Sequence, residues 1–418
     1  MQPTGREPQS AAEPQHAGRG RWLRFARSWP FRYVIVPFLV TRLVLTVVGW
    51  LALQSFQNLP ASPTTWEIKQ DGEVRPVTPN RTVGVLSVEV YPLVNMWSRW
   101  DAGWYHSIAE YGYHFSPGKQ SNTAFFPLYP MLMRVAHLMV PGTTDLSWFI
   151  AGMIVSHAAL LTALFYLVLL VRIDFDQATA TRTALYVLVF PTTVFLSAVY
   201  SESLFMAATA AAFYYARKNR WLVAGICAGA ATLTRSPGIL LGLPLLLEYL
   251  QQRNYRWRDI RPNVLALGLM PLCLAGLMLY FYWRFGNLLA TRDAQLAWGH
   301  GWGSLTWPWK PFIRFFEHAF VTNDMINVGF GALALSLTVF AAMKLRLSYG
   351  VYAVSCYLFV TAWGSLDSIP RYMLAIFPAF IGLALLGRNR GFDRAYLIAA
   401  SGLGAFFMIR FTLWRWVA

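Results

Sequence analysis

Charged residues are scarce in this sequence. They make up 13% of the 418 residues, whereas hydrophobic residues make up 56%, and a soluble domain carries about 25% charged residues. A chain with so few charges is solvated mainly by lipid. Because backbone polar groups inside a bilayer must pair with one another, we expect an all-α fold, a polytopic transmembrane helical protein.

Cysteines and the motifs of soluble chemistry are also few. Cys227, Cys273 and Cys356 all lie in apolar segments, which indicates small core residues and not a disulfide framework. The sequence has no P-loop, no GxGxxG turn, no HExxH motif and no metal-spaced Cys/His cluster. Nucleotide chemistry is therefore unsupported and no cofactor is implied. The sequence leaves open whether a divalent cation is needed.

Acidic residues are outnumbered by basic ones, and the formal net charge is +16. Such an excess on a membrane protein lies beside anionic lipid headgroups on the cytoplasmic face, so the expected partners are membrane lipids and not nucleic acid. The polar, Arg-rich residues 1–30 are predicted to be a disordered basic cytoplasmic tail. Residues 31–418 are predicted to form a transmembrane domain of about 11 helices.

Apolar stretches of spanning length recur along the chain. Each needs about 20 residues to cross the hydrocarbon core. The predicted spans are 33–53, 149–171, 183–200, 263–285, 326–343, 347–366, 370–387 and 395–415, with shorter pieces at 203–216, 221–234 and 237–250.

Basic clusters between these stretches determine the predicted topology. Six clusters lie at 19–32, 172–182, 217–220, 253–261, 344–346 and 388–394. All of them fall on the cytoplasmic side only if 221–250 is a helical hairpin. The segments left on the outer face are then 56–148, 200–203, 234–238, 286–325 and 365–372. Most of the ionisable residues that are not cytoplasmic thus converge on one face, and such residues are functional candidates.

The insert 56–148 is too long for an ordinary connection, which favours a functional, extracytoplasmic catalytic loop. Its aromatic residues fit either an interfacial belt or a carbohydrate platform. Asp101 precedes a predicted short helix ending at Glu110. Its carboxylate can cap that helix or act as a general base. Glu110 lies about 180° around the helix from Asp101, which favours a supporting role.

Three arginines near predicted helices have different expected roles. Arg42, near mid-depth in the first span, can snorkel to the cytoplasmic side or pair internally. Arg235 and Arg371 each lie beside a proline at an outward helix end. A guanidinium there is a planar, bidentate partner for phosphate, so both are candidate donor phosphate-binding residues.

Several motifs together resemble the PIG-V-type mannosyltransferases, a family of GT-C glycosyltransferases. They follow one another across most of the chain at Arg99–Ala102, Ile108–Tyr113, Ala124–Pro130, Ala198–Phe205, Thr234–Gly238 and Pro370–Tyr372. The resemblance implies a GT-C fold, a polyprenyl-phosphate sugar donor, and Asp101 as the catalytic residue in the first outer loop. Eukaryotic members carry a His where this chain has Gly103–Tyr105, and Asn at Pro237, so the resemblance is to a prokaryotic relative and implies no particular acceptor.

We therefore expect an inverting glycosyltransferase that moves mannose or a similar hexose from a polyprenyl-phosphate donor to a glycan or glycolipid acceptor. It would lie in a bacterial plasma (inner) membrane with its active site facing outside. The expected substrate contacts are Trp100, Trp104, Glu110, Tyr113, Phe126, Tyr200, Glu202 and Tyr372. The alternatives are a lipid-linked sugar transporter or flippase, or a non-catalytic lipid-binding subunit of a glycan-assembly complex.

Overall fold

The computed structural model describes residues 28–56, 66–70, 73–77, 91–297, 306–317, 322–362, 366–415 and 417. The predicted basic tail lies outside the described residues except for 28–30. Elements are numbered below in chain order.

Most of the described residues are helical. A π-helical turn, Phe31–Ile35, leads into the first α-helix. The α-helices are α1 Val36–Ser55, α2 Pro92–Asn95, α3 Ala102–Tyr111, α4 Leu128–His137, α5 Asp145–Val171, α6 Gln177–Val189, α7 Glu202–Arg217, α8 Trp221–Thr234, α9 Gly242–Gln251, α10 Leu269–Phe285, α11 Ala290–Leu296, α12 Lys310–Glu317, α13 Thr322–Lys344, α14 Leu347–Thr361, α15 Ile369–Tyr372, α16 Phe377–Leu386 and α17 Arg390–Thr412. Two short strands, β1 Trp66–Gln70 and β2 Glu73–Val77, form an antiparallel hairpin with Trp66 opposite Val77.

Five helical stretches among the described residues are long and apolar enough to cross a membrane. They are Phe31–Ser55, Asp145–Val171, Pro262–Phe285, Met325–Lys344 and Arg390–Thr412. A sixth candidate, Ile369–Ala375 with Phe377–Leu386, is bent by 87° at its break. The predicted all-α, membrane-spanning class is confirmed. The two-stranded hairpin in the first loop is an addition that the sequence patterns do not indicate. The count of about 11 passes stays a prediction.

The centre of the bundle is built from α5, α7 and α8, which pack side by side. The α5 helix is long enough to span the bilayer, and its inward face is fully buried from Phe149 to Val171. The α7 helix carries a run of alanines, including Ala210 and Ala212, which lets neighbouring backbones approach closely. Since α7 lies between α5 and α8, its two ends are held in fixed positions by both neighbours.

The predicted span 183–200 is divided into two parts. The α6 helix ends at Val189, and a 3₁₀ turn covers Thr193–Leu196. Pro191 follows the break and cannot donate a backbone hydrogen bond. The buried guanidinium of Arg42 donates to the Leu188 carbonyl at 2.8 Å and to the Thr193 carbonyl at 3.2 Å. Arg42 therefore pairs internally, and it satisfies carbonyls that the broken helix leaves free.

The two ends of α7 carry different ion-pair clusters. Glu202 begins the helix and pairs with arginines at one end of the bundle. Arg217 ends it, donates to Asp174 at 2.7 Å and lies 3.4 Å from Glu248. Glu248 also accepts from Arg346 at 2.6 Å. Sixteen helical residues separate the clusters by about 24 Å, so they lie at opposite ends of the bundle.

Residues 221–250 form the hairpin that the basic clusters predict. The α8 helix runs from the Arg217 end toward Arg235, which pairs with Glu202 at the other end of α7. A 3₁₀ segment, Ser236–Leu241, turns the chain, and α9 returns Glu248 to the Arg217 end. Gly238 permits this turn, because a Cβ there would lie 2.4 Å from the backbone of Ala231.

Candidate active site

Asp101 occupies the N-cap position of α3, but its side chain makes no capping hydrogen bond. The preceding Trp100 has φ +53°, a left-handed conformation uncommon for a large residue, which turns the chain sharply into the helix. Tyr200 holds this turn on both sides. Its hydroxyl accepts from the Asp101 backbone N–H at 3.1 Å and donates to the Arg99 carbonyl at 3.1 Å. The Asp101 carboxylate is therefore free of a capping role.

Arg371 connects the two acidic residues of the site. Its Nη1 donates to Asp101 Oδ2 at 2.6 Å, and its Nε donates to Glu202 Oε1. The Arg371 side chain is 7% exposed and that of Asp101 is 23% exposed. The short helix α15 presents Arg371 three residues after its N-cap, Ser368, which has φ +65°. The carboxylate of Asp101 is thus the more accessible partner of a buried guanidinium.

Glu202 lies in the first turn of α7, where the helix dipole favours a negative charge. Arg235 donates through Nη1 to Glu202 Oε1, while Arg371 reaches the same oxygen from another side. The other oxygen, Oε2, is buried and makes no hydrogen bond within the described residues. Glu202 therefore holds both arginines at the positions that they occupy.

The four charges balance. Two carboxylates and two guanidiniums lie in a largely buried cluster, with the Glu202 side chain 4% exposed and that of Arg235 11% exposed. Burial alone would raise the pKa of the Glu202 carboxyl, but the charges of Arg235 and Arg371 outweigh it and hold the pKa below its usual range. Glu202 is consequently ionised at neutral pH and keeps both arginines paired.

Aromatic rings cover the arginines. The Arg371 guanidinium carbon lies 4.5 Å from the Tyr200 ring centroid and 5.3 Å from that of Phe195. Arg235 lies 5.5 Å from the Tyr372 ring centroid. These are cation–π distances, and they hold the guanidinium planes in place. A small cavity opens onto the cluster, lined by Glu202, Phe205, Arg235, Arg371, Tyr372 and Ala375.

The cluster brings together six of the predicted site residues and adds others. Asp101, Glu202, Arg235, Arg371 and Tyr200 contact one another, with Tyr372 over Arg235. Sequence reasoning missed Tyr105, Ser201 and Phe195 as neighbours. The Tyr105 hydroxyl lies 2.7 Å from Ser201 Oγ. Ser201 is adjacent to Glu202 and could have been chosen on that ground, whereas nothing in the sequence marks Phe195.

The remaining predicted substrate contacts lie just before α3, on it or after it. Trp100 packs edge-on against Trp414, and Trp104 stacks on Phe125 with ring centroids 5.9 Å apart. Tyr113 and Phe126 are buried in a separate apolar cluster. Their placement there gives both rings a packing function, and a role in binding substrate stays a prediction for them.

Glu110 faces away from the ion cluster, as the helical period predicts. Its Oε2 lies 2.7 Å from Nε2 of His106, one turn earlier on α3. Burial lowers the pKa of the His106 imidazole, although the nearby carboxylates of Asp145 and Glu110 act to raise it. Glu110 thus belongs to a second polar group, on the other face of the helix that Asp101 begins.

Residues 77–281 of the chain match the family model described as Mannosyltransferase (PIG-V). The resemblance to the PIG-V mannosyltransferases is confirmed. The PIG-V-matched stretch contains Asp101, Glu202 and Arg235 and ends before Arg371. The arginine that joins the two carboxylates therefore comes from outside it.

Individual relatives match a shorter part of the chain. GPI mannosyltransferase 2 of Yarrowia lipolytica is 28% identical over 149 residues, 36% of this chain and 39% of that protein. GPI mannosyltransferase 2 of Cryptococcus neoformans is 30% identical over 155 residues, 35% of this chain and 36% of that protein. The match thus spans less than two fifths of the length of these curated relatives.

Among solved structures, the apo oligosaccharyltransferase of Archaeoglobus fulgidus aligns with 93% of this chain and 54% of its own, at 14% sequence identity and a TM-score of 0.47.

Proposed function

We propose that this chain is an integral-membrane, inverting mannosyltransferase of GT-C type that uses a polyprenyl-phosphate sugar donor and acts at the extracytoplasmic face. The observation that carries the proposal is the contact of Asp101 with Arg371 beside Glu202 and Arg235. Four chain segments far apart in sequence supply these charges at one end of the bundle. An ion pair with a purely structural role would need only two of these four charges.

Asp101 suits the role of general base. Its carboxylate makes no cap bond and is the most exposed of the four charged groups, at 23%. In the proposed step the acceptor hydroxyl attacks the anomeric carbon and loses its proton to Asp101. The bond from that carbon to the donor phosphate oxygen breaks, and polyprenyl phosphate leaves with the bonding electrons. Attack opposite to the leaving group inverts the anomeric configuration.

Arg371 and Arg235 suit the role of phosphate ligands. A planar guanidinium can bind two phosphate oxygens, and its charge stabilises the leaving group in a site that excludes water. Both guanidiniums are neutralised by Glu202 and Asp101 in the structure. A donor phosphate would compete with Asp101 for Arg371. Donor binding would thereby free the Asp101 carboxylate to accept a proton.

The membrane setting supports a lipid-linked donor. The cluster lies at the ends of apolar helices, opposite the end that carries Arg217 and Arg346. If those basic ends face the cytoplasm, as the charge rule predicts, the site faces a compartment without nucleotide sugars. Mannose or a similar hexose must then arrive on a lipid. The acceptor would be a glycan or glycolipid at the same surface.

Turnover by the purified full chain reconstituted in lipid vesicles tests this function. Polyprenyl-phosphate mannose carrying radiolabelled mannose is supplied with a panel of mannosyl glycolipids and glycans. Transfer of label to an acceptor, with inverted configuration by NMR and loss in Asp101→Asn, is the expected result. A flippase would move donor across vesicles without forming product, and a lipid-binding subunit would bind donor without turnover. Either of those results overturns the proposal.

A further inference from the structure

A second polar group lies on the opposite face of α3 from the charged cluster. It consists of His106, Glu110 and Asp145, whose ligand atoms all lie within 4.8 Å of one another. His106 Nε2 is 2.7 Å from Glu110 Oε2 and 3.8 Å from Asp145 Oδ1. His106 and Glu110 are one helical turn apart and share a face of α3, and Asp145 begins α5. The three side chains thus join two helices at one point.

The His106 imidazole is fully buried, and neither of its ring nitrogens makes a hydrogen bond within the described residues. Glu110 Oε2 is also buried without a hydrogen bond, although it lies beside the ring nitrogen. The close contact therefore lacks the direction of an N–H···O bond. Buried polar atoms are nearly always paired by hydrogen bonds, so these two atoms call for a third group that contacts both of them.

The neighbouring histidine does not supply that group. His137 Nε2 lies 2.9 Å from Ser147 Oγ, and its ring stacks on Trp148 with centroids 3.7 Å apart. The His106 ring is enclosed by Trp148 and Phe149, with the Phe149 centroid at 5.0 Å. The donor set that remains is one imidazole and two carboxylates.

From this geometry we propose that His106, Glu110 and Asp145 form a binding site for a divalent transition-metal cation. One imidazole nitrogen with two carboxylate oxygens suits Zn²⁺ or Mn²⁺ better than Mg²⁺ or Ca²⁺, which prefer oxygen ligands alone. Tetrahedral ligands at about 2.0–2.2 Å from a metal lie roughly 3–4 Å apart. The Nε2–Oδ1 distance of 3.8 Å falls in this range, and the Nε2–Oε2 distance of 2.7 Å would have to widen slightly on binding. The Asp145 side chain is 40% exposed, which gives an ion a path of entry.

The cation would fix α3 against the start of α5. Asp101 lies at the beginning of the same α3 helix, so the ion would hold the helix that presents the proposed base without touching that base. The site is argued from its own side chains and stands whether or not the chain transfers mannose. Metal binding is therefore measured separately from turnover.

The test uses the purified full chain in detergent, stripped with EDTA, desalted and titrated with Zn²⁺ or Mn²⁺ by calorimetry, with melting temperature as a second readout. We expect one bound ion per chain and a melting temperature that rises with metal concentration. Asp145→Asn changes an exposed residue and should preserve folding, while lowering the affinity at least about 10-fold. Glu110→Gln should do the same.

His114→Gln is the matched control, because His114 lies in the same outer segment without joining the group. It should bind metal as the unaltered chain does. If no ion binds, or if Asp145→Asn and Glu110→Gln both bind with unchanged affinity, the site assignment is wrong. Equal weakening by His114→Gln would also overturn it, since the ion would then be held by a different set of residues.

Discussion

Arg371 binds Asp101 directly, through a 2.6 Å hydrogen bond from Nη1 to Oδ2 that joins residues 270 positions apart in the chain. The contact brings the N-cap of the short helix α3 to the start of the bent helical pair formed by α15 and α16. It is the contact on which the proposed chemistry depends, because it couples the candidate base to the candidate phosphate ligand.

Asp101→Asn should lower turnover by about 10²- to 10⁴-fold, since the amide cannot accept the acceptor's proton. Folding should change less than in Glu202→Gln, because the Asp101 side chain is 23% exposed, makes no cap bond, and leaves Arg371 paired with Glu202. Steady-state transfer rates and melting temperatures check this. Asp176→Asn, the same chemical change at a helix cap on another helix, is the control and should leave turnover intact. Activity of Asp101→Asn within a few-fold of the unaltered chain would exclude a base.

Arg371→Lys should reduce turnover more than Arg235→Lys does. The Arg371 guanidinium uses two different nitrogens for Asp101 and Glu202, and an ammonium cannot reproduce that fork. Arg217→Lys is the matched control, because it loses a comparable fork to Asp174 in the distant cluster. All three variants should melt at lower temperature. When transfer is assayed well below the melting temperature, its rate should fall mainly in Arg371→Lys. Equal loss in the Arg217 variant would mean that only stability had been measured.

Glu202→Gln should destabilise the chain by about 3 kcal/mol at neutral pH, because it leaves two largely buried guanidiniums with one carboxylate between them. The folded-state pKa of Glu202 is below its unfolded value. Its stabilisation is therefore fully present above the unfolded pKa and is lost as pH falls through the folded pKa.

The difference in melting temperature between Glu202→Gln and the unaltered chain should accordingly shrink as pH is lowered below about 4.5. Differential scanning fluorimetry from pH 7 to pH 3 measures it. A difference that stays constant over this range would show that the Glu202 charge is not what holds the two arginines.

Arg42→Met should destabilise the fold by about 1–3 kcal/mol for each buried acceptor left unpaired. Leu188 and Thr193 supply those carbonyls where α6 ends. Leu43→Met is the matched control, because Leu43 is 65% exposed on the same helix and a swap between apolar side chains should be nearly neutral. Unfolding in detergent would check the pair of variants. An Arg42→Met protein as stable as the control would contradict internal pairing.

Cysteine labelling tests the sidedness that the charge rule predicts. In a background without Cys227, Cys273 and Cys356, cysteines at Lys119 and Ser236 should react with an impermeant thiol reagent in intact cells. One at Lys218 should not. All three positions are exposed in the structure, so protection reports the membrane and not burial within the fold. Labelling of Lys218 from outside, or protection of Ser236, would invert or break the proposed topology.

Glu110 and Arg42 show which side-chain positions the sequence can predict and which it cannot. The helical period predicts that Glu110 faces away from Asp101, and it does. One short helix joins the two residues, so local geometry is enough to place one relative to the other. The sequence allows Arg42 either to snorkel or to pair internally. The choice depends on whether a distant helix end with free carbonyls lies beside it. Only packing determines that.

Apolar stretches and scarce charges determined that the chain is helical and spans a membrane, and the positions of the basic clusters predict that most of the other ionisable residues share one face. Those are properties of composition and of local order, and lipid imposes them on any fold. The tertiary structure alone decided that Arg371, and not another outer-face cation, binds Asp101, that Phe195 covers it, and that His106 meets Asp145. Each of these contacts depends on the rotation and offset of helices from separate parts of the chain, which the packing of α5, α7 and α8 sets.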